Sequence, residues 1–361
     1  MAFLELPHLD QIVGTLSELL PLVTRPVANT LADLETYRNR PLEELFPTPQ
    51  RLPALAVRSR WTLPGLVAED LIFPSLHVPL EPGFRERYDR DYRETHQVFA
   101  RRVRPTGTRP ALRLLYLHGY MQPETYVEEL TLLTTMALLL KIEVIQIQHA
   151  YHGRRTPRSA RLSGELFWTA DLVRSVEALR QSVLDSRTLL ALLLEEDDRP
   201  VGVAGISLGG SLAMALTCLE PRFFFSAPMI AHMDLTRMLA DVPVLARMRR
   251  ELRSFGWGIE EFGDFIRALG WYKLLPQVPT ERILMLAASA DRFFDPAVVE
   301  ETWRQWGKPQ IHWYPSSHMG FFLHAPDAIY RFSTFLAAMG ERAQRLGSVA
   351  TSSRRPEPAE R

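Results

Sequence analysis

The pentapeptide Gly205-Ile206-Ser207-Leu208-Gly209 constrains this chain more than any other feature. It lies between an apolar run at 201–206 (VGVAGI) and a helix-forming stretch at 209–219. A serine in that setting occupies a sharp, strained strand-to-helix turn, which lifts its hydroxyl above the sheet edge. Positions 205 and 209 must then be small, because a side chain at either would meet the turn or the adjacent chain. The N–H groups after the serine open a helix, so they face any negative charge that develops beside Oγ. Ser207 is therefore the candidate nucleophile, and the Leu208 N–H a candidate oxyanion donor. A glycine-rich turn with a helix-capping serine is the plain structural alternative.

Such a turn needs a sheet beneath it, and the flanking pattern supplies one. Apolar runs at 112–117 (LRLLYL), 142–147 (IEVIQI), 201–206, 223–226, 283–287 and 311–314 alternate with helix-length stretches. Those stretches fall at about 126–140, 166–194, 209–219, 296–306 and 326–339. Doubly buried strands separated by helices imply right-handed crossovers and a mainly parallel central sheet flanked by helices, an α/β architecture. Upstream, 67–73 and 95–103 have strand character suited to antiparallel edge strands. One connection breaks the rhythm. The segment 229–279 holds helical stretches at 235–252, interrupted at Pro243, and at 260–269. It is too long for a simple crossover and is expected to form a helical cap over the strand carboxyl ends. Its Trp257, Trp271 and Tyr272 are expected to form the cap's own core, with an acyl pocket as the alternative.

A serine hydroxyl is a weak nucleophile and needs a base within hydrogen-bond reach. With this type of turn, an acid and then a histidine follow in chain order. The loop after 283–287 carries Asp291 and Asp295. Asp295 precedes Pro296, as a helix N-cap precedes a proline in the first turn, which leaves Asp291 to orient the base. The run at 311–314 leads into Pro315-Ser316-Ser317-His318-Met319-Gly320, where His318 is the candidate base. His324 reads as a packing or capping residue, and His312 lies within a strand. After the strand at 112–117 come His118, Gly119, Tyr120 and Met121. Gly119 permits close backbone approach, the Tyr120 N–H is the second candidate oxyanion donor, and His118 is expected to brace the loop. Met121, Tyr151 and Arg154, on loops at strand carboxyl ends, are candidate substrate-binding residues. Arg154 and Arg155 suit a carboxylate or phosphate group, or else are solvated surface charges.

Composition narrows the remaining choices. Lys plus Arg and Asp plus Glu both total 42, so net charge gives no argument for a nucleic acid or anionic membrane partner. The single cysteine, Cys218, forbids an intramolecular disulfide and permits a reducing compartment. Apolar runs such as 189–194 fall well short of the ~20 residues that span a bilayer, and the first residues lack a signal-peptide pattern. A cytoplasmic protein without cofactor or metal is expected, since the histidines lack zinc-binding spacing. Residues 1–50 read as short amphipathic helices, with Ile12, Leu16, Leu19 and Leu20 at helical spacing, forming an accessory layer or interaction arm. The main domain is expected over 51–344, and 345–361 is expected to be a disordered tail.

The turn, acid and base in this order resemble the α/β-hydrolase superfamily over roughly 55–340. The HGY segment at 118–120, HAYHGRRTP at 149–157, the long helix after it and GISLGG at 205–210 are most similar to one group. That group is named for α/β-hydrolase domain-containing protein eighteen, whose members resemble this chain in a Y-x-G-x-R-like loop. The superfamily resemblance implies hydrolysis of esters, thioesters, amides or lipid acyl groups; the narrower one implies an acyl-lipid or small ester. The expectation is a serine hydrolase that cleaves a carboxylic ester through an acyl-enzyme. An acyltransferase using the same triad and a catalytically silent binding scaffold are the alternatives.

Overall fold

The computed structural model describes residues 7–20, 26–38, 40–107, 109–124, 129–237, 242–258, 263 and 273–352. Its strands are β1 (Ala56–Leu63), β2 (Leu66–Pro74), β3 (Gln97–Pro105), β4 (Arg113–Leu117), β5 (Glu143–Ile147), β6 (Val201–Ile206), β7 (Ser226–Met229), β8 (Leu284–Ala288) and β9 (Gln310–Tyr314). They form one sheet in the order β1-β2-β3-β5-β4-β6-β7-β8-β9. Pairings from β1 through β3 to β5 are antiparallel. Those from β5 through β4 to β9 are parallel. The mainly parallel sheet flanked by helices is thus present, with antiparallel strands on its upstream side.

Two strands differ from the sequence reading. β1 has no buried residue and carries Arg58, Ser59 and Arg60, so it lacks the apolar signal of an inner strand. β7 begins at Ser226, where 223–226 was expected. Phe223 and Phe225 are buried core side chains, and backbone bonds to β6 already start before β7, with Phe224 N–H donating to Val201 O (2.8 Å) and Val203 N–H to Phe225 O (3.0 Å).

Among the described residues, the helices are α1 (Pro7–Glu18), α2 (Leu31–Glu35), α3 (Leu42–Leu45), α4 (Pro82–Asp91), α5 (Thr134–Leu140), α6 (Leu172–Glu196), α7 (Leu208–Leu219), α8 (Ala246–Ser254), α9 (Pro296–Gln305) and α10 (Ala325–Ser352). Alternate strand residues feed two cores, as the period of two requires. Leu115, Leu117, Ile145 and Val203 pack with α6 and α7 on one face. Leu114, Tyr116, Val144 and Ala204 pack with α5 and α10 on the other.

α6 starts at Leu172 instead of 166, where the Asp171 side chain accepts from Arg174 N–H. It is buried along almost its whole length because the chain around 29–48 covers it. Tyr37 donates to Glu177 (2.6 Å), Arg180 to Leu45 O (3.0 Å), and Val173 N–H to Asn29 (3.2 Å). Burial alone would raise the Glu177 carboxyl; Arg180, His77 and Tyr37 instead hold it down at about 2.

The cap is only partly described. Within the expected 235–252 helix, a turn at Pro243–Leu245 separates α8 from the residues before it, as Pro243 dictates. The expected helix at 260–269 lies outside the described residues apart from Gly263, and Trp271 and Tyr272 lie outside them altogether. Trp257 is buried and donates to Asn29 O (3.1 Å), joining the segment expected to form a cap to the chain around residue 29. The disordered tail expected from 345 needs correction, because α10 continues to Ser352. Good helix formers at 343–346 sustain it, with a Glu341–Arg345 pair one turn apart. Residues 353–361 lie outside the described residues. Among the described residues, no helix is long and apolar enough to cross a membrane.

Candidate active site

Ser207 joins β6 to α7 with φ 57° and ψ −119°, a left-handed strain of about 1–3 kcal/mol for a residue with a Cβ. Its N–H donates to Met229 O (3.0 Å). The flanking glycines are required by contact. A Cβ on Gly205 would lie 2.2 Å from Gly209 O, and one on Gly209 would lie 2.0 Å from Leu117 O. The turn therefore exists only where the strand, the helix and β4 approach with no side chain between them.

Asp291, in the loop after β8, is nearly buried. Its Oδ1 accepts from the N–H groups of Phe293 (2.7 Å) and Phe294 (2.8 Å). Its Oδ2 lies 2.8 Å from His318 Nδ1, and His318 Nε2 lies 3.0 Å from Ser207 Oγ. A carboxylate can only accept, which places the ring proton on Nδ1 and leaves Nε2 to accept from the serine hydroxyl. The Phe293 ring stacks on the imidazole at 4.7 Å, and Phe294 approaches at 5.4 Å, so the ring has one available orientation. Asp295 instead caps α9, accepting from Ala297 N–H (2.9 Å). His324 packs near Tyr314, and His312 faces Asp327 at 3.5 Å.

The turn after β4 rests on three buried histidines. His118 Nδ1–H donates to Gly119 O (2.8 Å), while its Nε2 accepts from His149 N–H (3.2 Å). His149 Nε2–H donates to His118 O (3.1 Å). His152 Nδ1–H donates to Ala150 O (2.9 Å), and its Nε2 accepts from Met121 N–H (3.2 Å). Acceptance at Nε2 requires the His118 and His152 rings to be neutral. Burial pushes His118 down to about 4 and holds His149 and His152 well below the usual imidazole range. Gly119 faces the elbow, since a Cβ there would lie 3.9 Å from Ser207 Cβ.

A mostly apolar cavity of about 870 Å³ opens above Ser207 and His318. Met121, Trp168 and Phe293 line it near the reacting groups; Met136 and Leu140 from α5, Ile329 and Phe332 from α10, and Val13 and Leu16 from α1 extend it. Two expected substrate contacts are absent from this wall. Tyr151 is buried edge-on against Tyr92 (5.5 Å). Arg154 pairs with Asp70 (3.1 Å) and Glu124 (2.9 Å) beside a separate small cleft. Arg155, also suggested as a ligand for anions, is fully buried against Asp185 (2.6 Å) and the carbonyls of Gln148 and Thr95. Acidic partners from β2 and α6, distant in sequence, convert these apparent pocket arginines into scaffold.

One residue escaped sequence reasoning altogether. Asp10 of α1 has no exposed surface. Its Oδ2 accepts from the N–H groups of Arg292 (3.0 Å) and His318 (2.9 Å), and its Oδ1 from Met319 N–H (2.8 Å). α1 buries Asp10 and Gly14 and leaves Ile12 and Leu16, like Leu19 just beyond it, at least half exposed, the reverse of the expected amphipathic face. An acid in the first turn of a surface helix gives no sequence signal for such a contact.

The sheet order, the strand-to-helix elbow and the cavity at the strand carboxyl ends define an α/β-hydrolase fold. Two solved enzymes share it. Acetyl xylan esterase 1 from Thermoanaerobacterium sp. JW/SL YS485 superimposes with a TM-score of 0.56 at 19% identity, over 87% of this chain and 95% of that one. The acetyl xylan esterase from Paenibacillus sp. R4 gives 0.56 at 17% identity, over 89% and 98%. By sequence, an uncharacterized protein of Mycobacterium tuberculosis (Rv2627c in strain H37Rv, MT2702 in strain CDC 1551) is 32% identical over 180 residues. That match covers 49% of this chain and 41% of the relative's length. No family model matches the chain.

Proposed function

We propose that the protein is a serine-dependent carboxylic-ester hydrolase acting on esters with a sizeable apolar acyl group. The observation that carries this reading is His318, bridged between Ser207 Oγ (3.0 Å) and Asp291 (2.8 Å) at the floor of the cavity. Ser207 Oγ attacks the ester carbonyl as its proton passes to His318 Nε2. Asp291 holds the Nδ1 proton and stabilises the imidazolium. The N–H groups of Leu208 and Tyr120 receive the oxyanion. Collapse expels the alcohol, which takes the proton from Nε2. Water, deprotonated by His318, then releases the acid and restores Ser207.

At about 870 Å³, the cavity lies towards the upper end of the roughly 300–1,000 Å³ usual for small-ligand sites, and its apolar walls favour an acyl chain over a charged group. The shared fold of two acetyl xylan esterases supports ester hydrolysis in general. The resemblance of 118–120, 149–157 and 205–210 to the protein-eighteen group suggests an acyl-lipid or small ester as substrate. A cytoplasmic location belongs to the same proposal, consistent with the single buried thiol of Cys218.

The test is labelling with a small fluorophosphonate, paired with hydrolysis of p-nitrophenyl esters from acetate to octanoate. Wild type should label, Ser207→Ala should not, and kcat/KM should rise with acyl length. A folded wild type that neither labels nor cleaves the acetate would overturn the assignment.

A further inference from the structure

We propose that Asp10 is a positioning residue for the reaction: its carboxylate fixes the relative placement of the loops carrying Asp291 and His318. The inference rests on the reading of Ser207, His318 and Asp291 given above. Those two loops leave neighbouring strands and are joined by Ala290 N–H donating to Ser316 O (3.0 Å), but beyond that bond their tips meet through side chains, Asp291 and Phe293 against the His318 ring, and through Asp10. The three N–H groups that meet Asp10 are distributed across both. Arg292 follows Asp291 directly, while His318 and Met319 are the base itself and its successor. Every donor is a backbone group, so the contact holds main chain, the part that sets where the two side chains start.

A fully buried carboxylate without such donors would be strongly unfavourable, so the three bonds hold α1 in place as firmly as α1 holds the loops. The seating is close elsewhere as well. A Cβ on Gly14, one turn after Asp10, would lie 2.1 Å from Pro243 Cβ. The outer side of the same helix contributes Val13, Leu16 and Ser17 to the cavity. α1 is thus one body with two duties: aligning the acid–base pair and walling the acyl site.

The two duties separate kinetically. Loss of the wall alone raises KM for long acyl esters and leaves acetate turnover unchanged. Loss of alignment lowers kcat for every ester alike, because a small displacement of base from nucleophile slows proton transfer whatever the acyl group.

The experiment compares wild type, Ser207→Ala, Asp10→Ala and Asp10→Asn on p-nitrophenyl acetate and octanoate, and in the rate of fluorophosphonate labelling. Asp10→Ala should lower kcat by about 10- to 100-fold on both esters, with labelling slowed in proportion. Asp10→Asn keeps the helix packing but turns an N–H donor towards one of the three N–H groups, and should lose about 3- to 10-fold. It also serves if the alanine variant does not fold. Folded Asp10 variants with wild-type kcat on acetate would overturn the proposal, whatever happens to KM for the octanoate. If wild type itself fails to label, the functional reading falls first, an outcome distinct from this one.

Discussion

On one side of Ser207, the turn from His118 to Met121 is held by neutral rings and carbonyl groups; on the other, the loops of Asp291 and His318 are held by carboxylates. His118 and His152 each present one donor and one acceptor to the backbone, His149 presents one donor, and burial keeps all three rings uncharged. Asp291 and Asp10 between them take five backbone N–H groups as well as the His318 ring. The difference follows the charges that develop in the proposed reaction. Negative charge would grow beside the neutral side, where a carboxylate would oppose it. Positive charge would grow on His318, where carboxylates favour it. Fixed groups of suitable sign act without having to reorient during the reaction.

The comparison breaks most sharply at Asp291. Asp291→Asn keeps the shape but presents either a donor or a neutral oxygen to Nδ1. It should lower kcat by about 10³- to 10⁴-fold, read from ester hydrolysis at neutral pH. A loss below tenfold would show that orientation comes from Phe293 and Phe294 instead. On the neutral side, His152→Ala frees Met121 N–H and loosens the turn. Acetate kcat should fall by about 10- to 100-fold with KM nearly unchanged. An equal loss confined to KM would make this turn a binding element only.

The smallest effect is on stability. Unfolded histidines gain a proton near pH 6.5, whereas burial holds the His118, His149 and His152 rings neutral to lower pH. Their folded-state values are depressed, so stability is unaffected above that pH and is lost as pH falls below it. For His118 the loss continues to about 4. At pH 5 this ring alone should account for about 2 kcal/mol. Thermal melts between pH 8 and 5 would show a falling Tm, with a shallower slope in His152→Ala. A flat Tm would mean that the rings are protonated in the folded chain.

Much of this was legible in the sequence, for local reasons. β6, the elbow and α7 follow from a buried run meeting small residues, and Asp295 was distinguished from Asp291 by the proline beside it. The inner parallel strands were bracketed to within a few residues because burial on both faces leaves a continuous apolar run; β9, an edge strand, is only half buried. What escaped was set by partners far along the chain. β1 is an edge strand whose polar residues look like loop. Tyr151 and Arg154 occupy pocket-like positions in sequence, but Tyr92, Asp70 and Glu124 claim them. Asp10 sits in the first turn of a helix, and its bond to His318 N–H forms only once a residue 308 positions away has folded against it.

That separation also bears on when the site comes into being. Ser207 is made after the α1 wall but well before its imidazole partner and the α10 wall. A nascent chain on the ribosome would carry the serine and its glycines long before the acid, the base or an enclosed pocket. Contacts of such wide sequence separation form late and slowly. The groups that would cut an ester are thus kept apart by topology until the stretch carrying His318 has been made, a delay built into the order of translation.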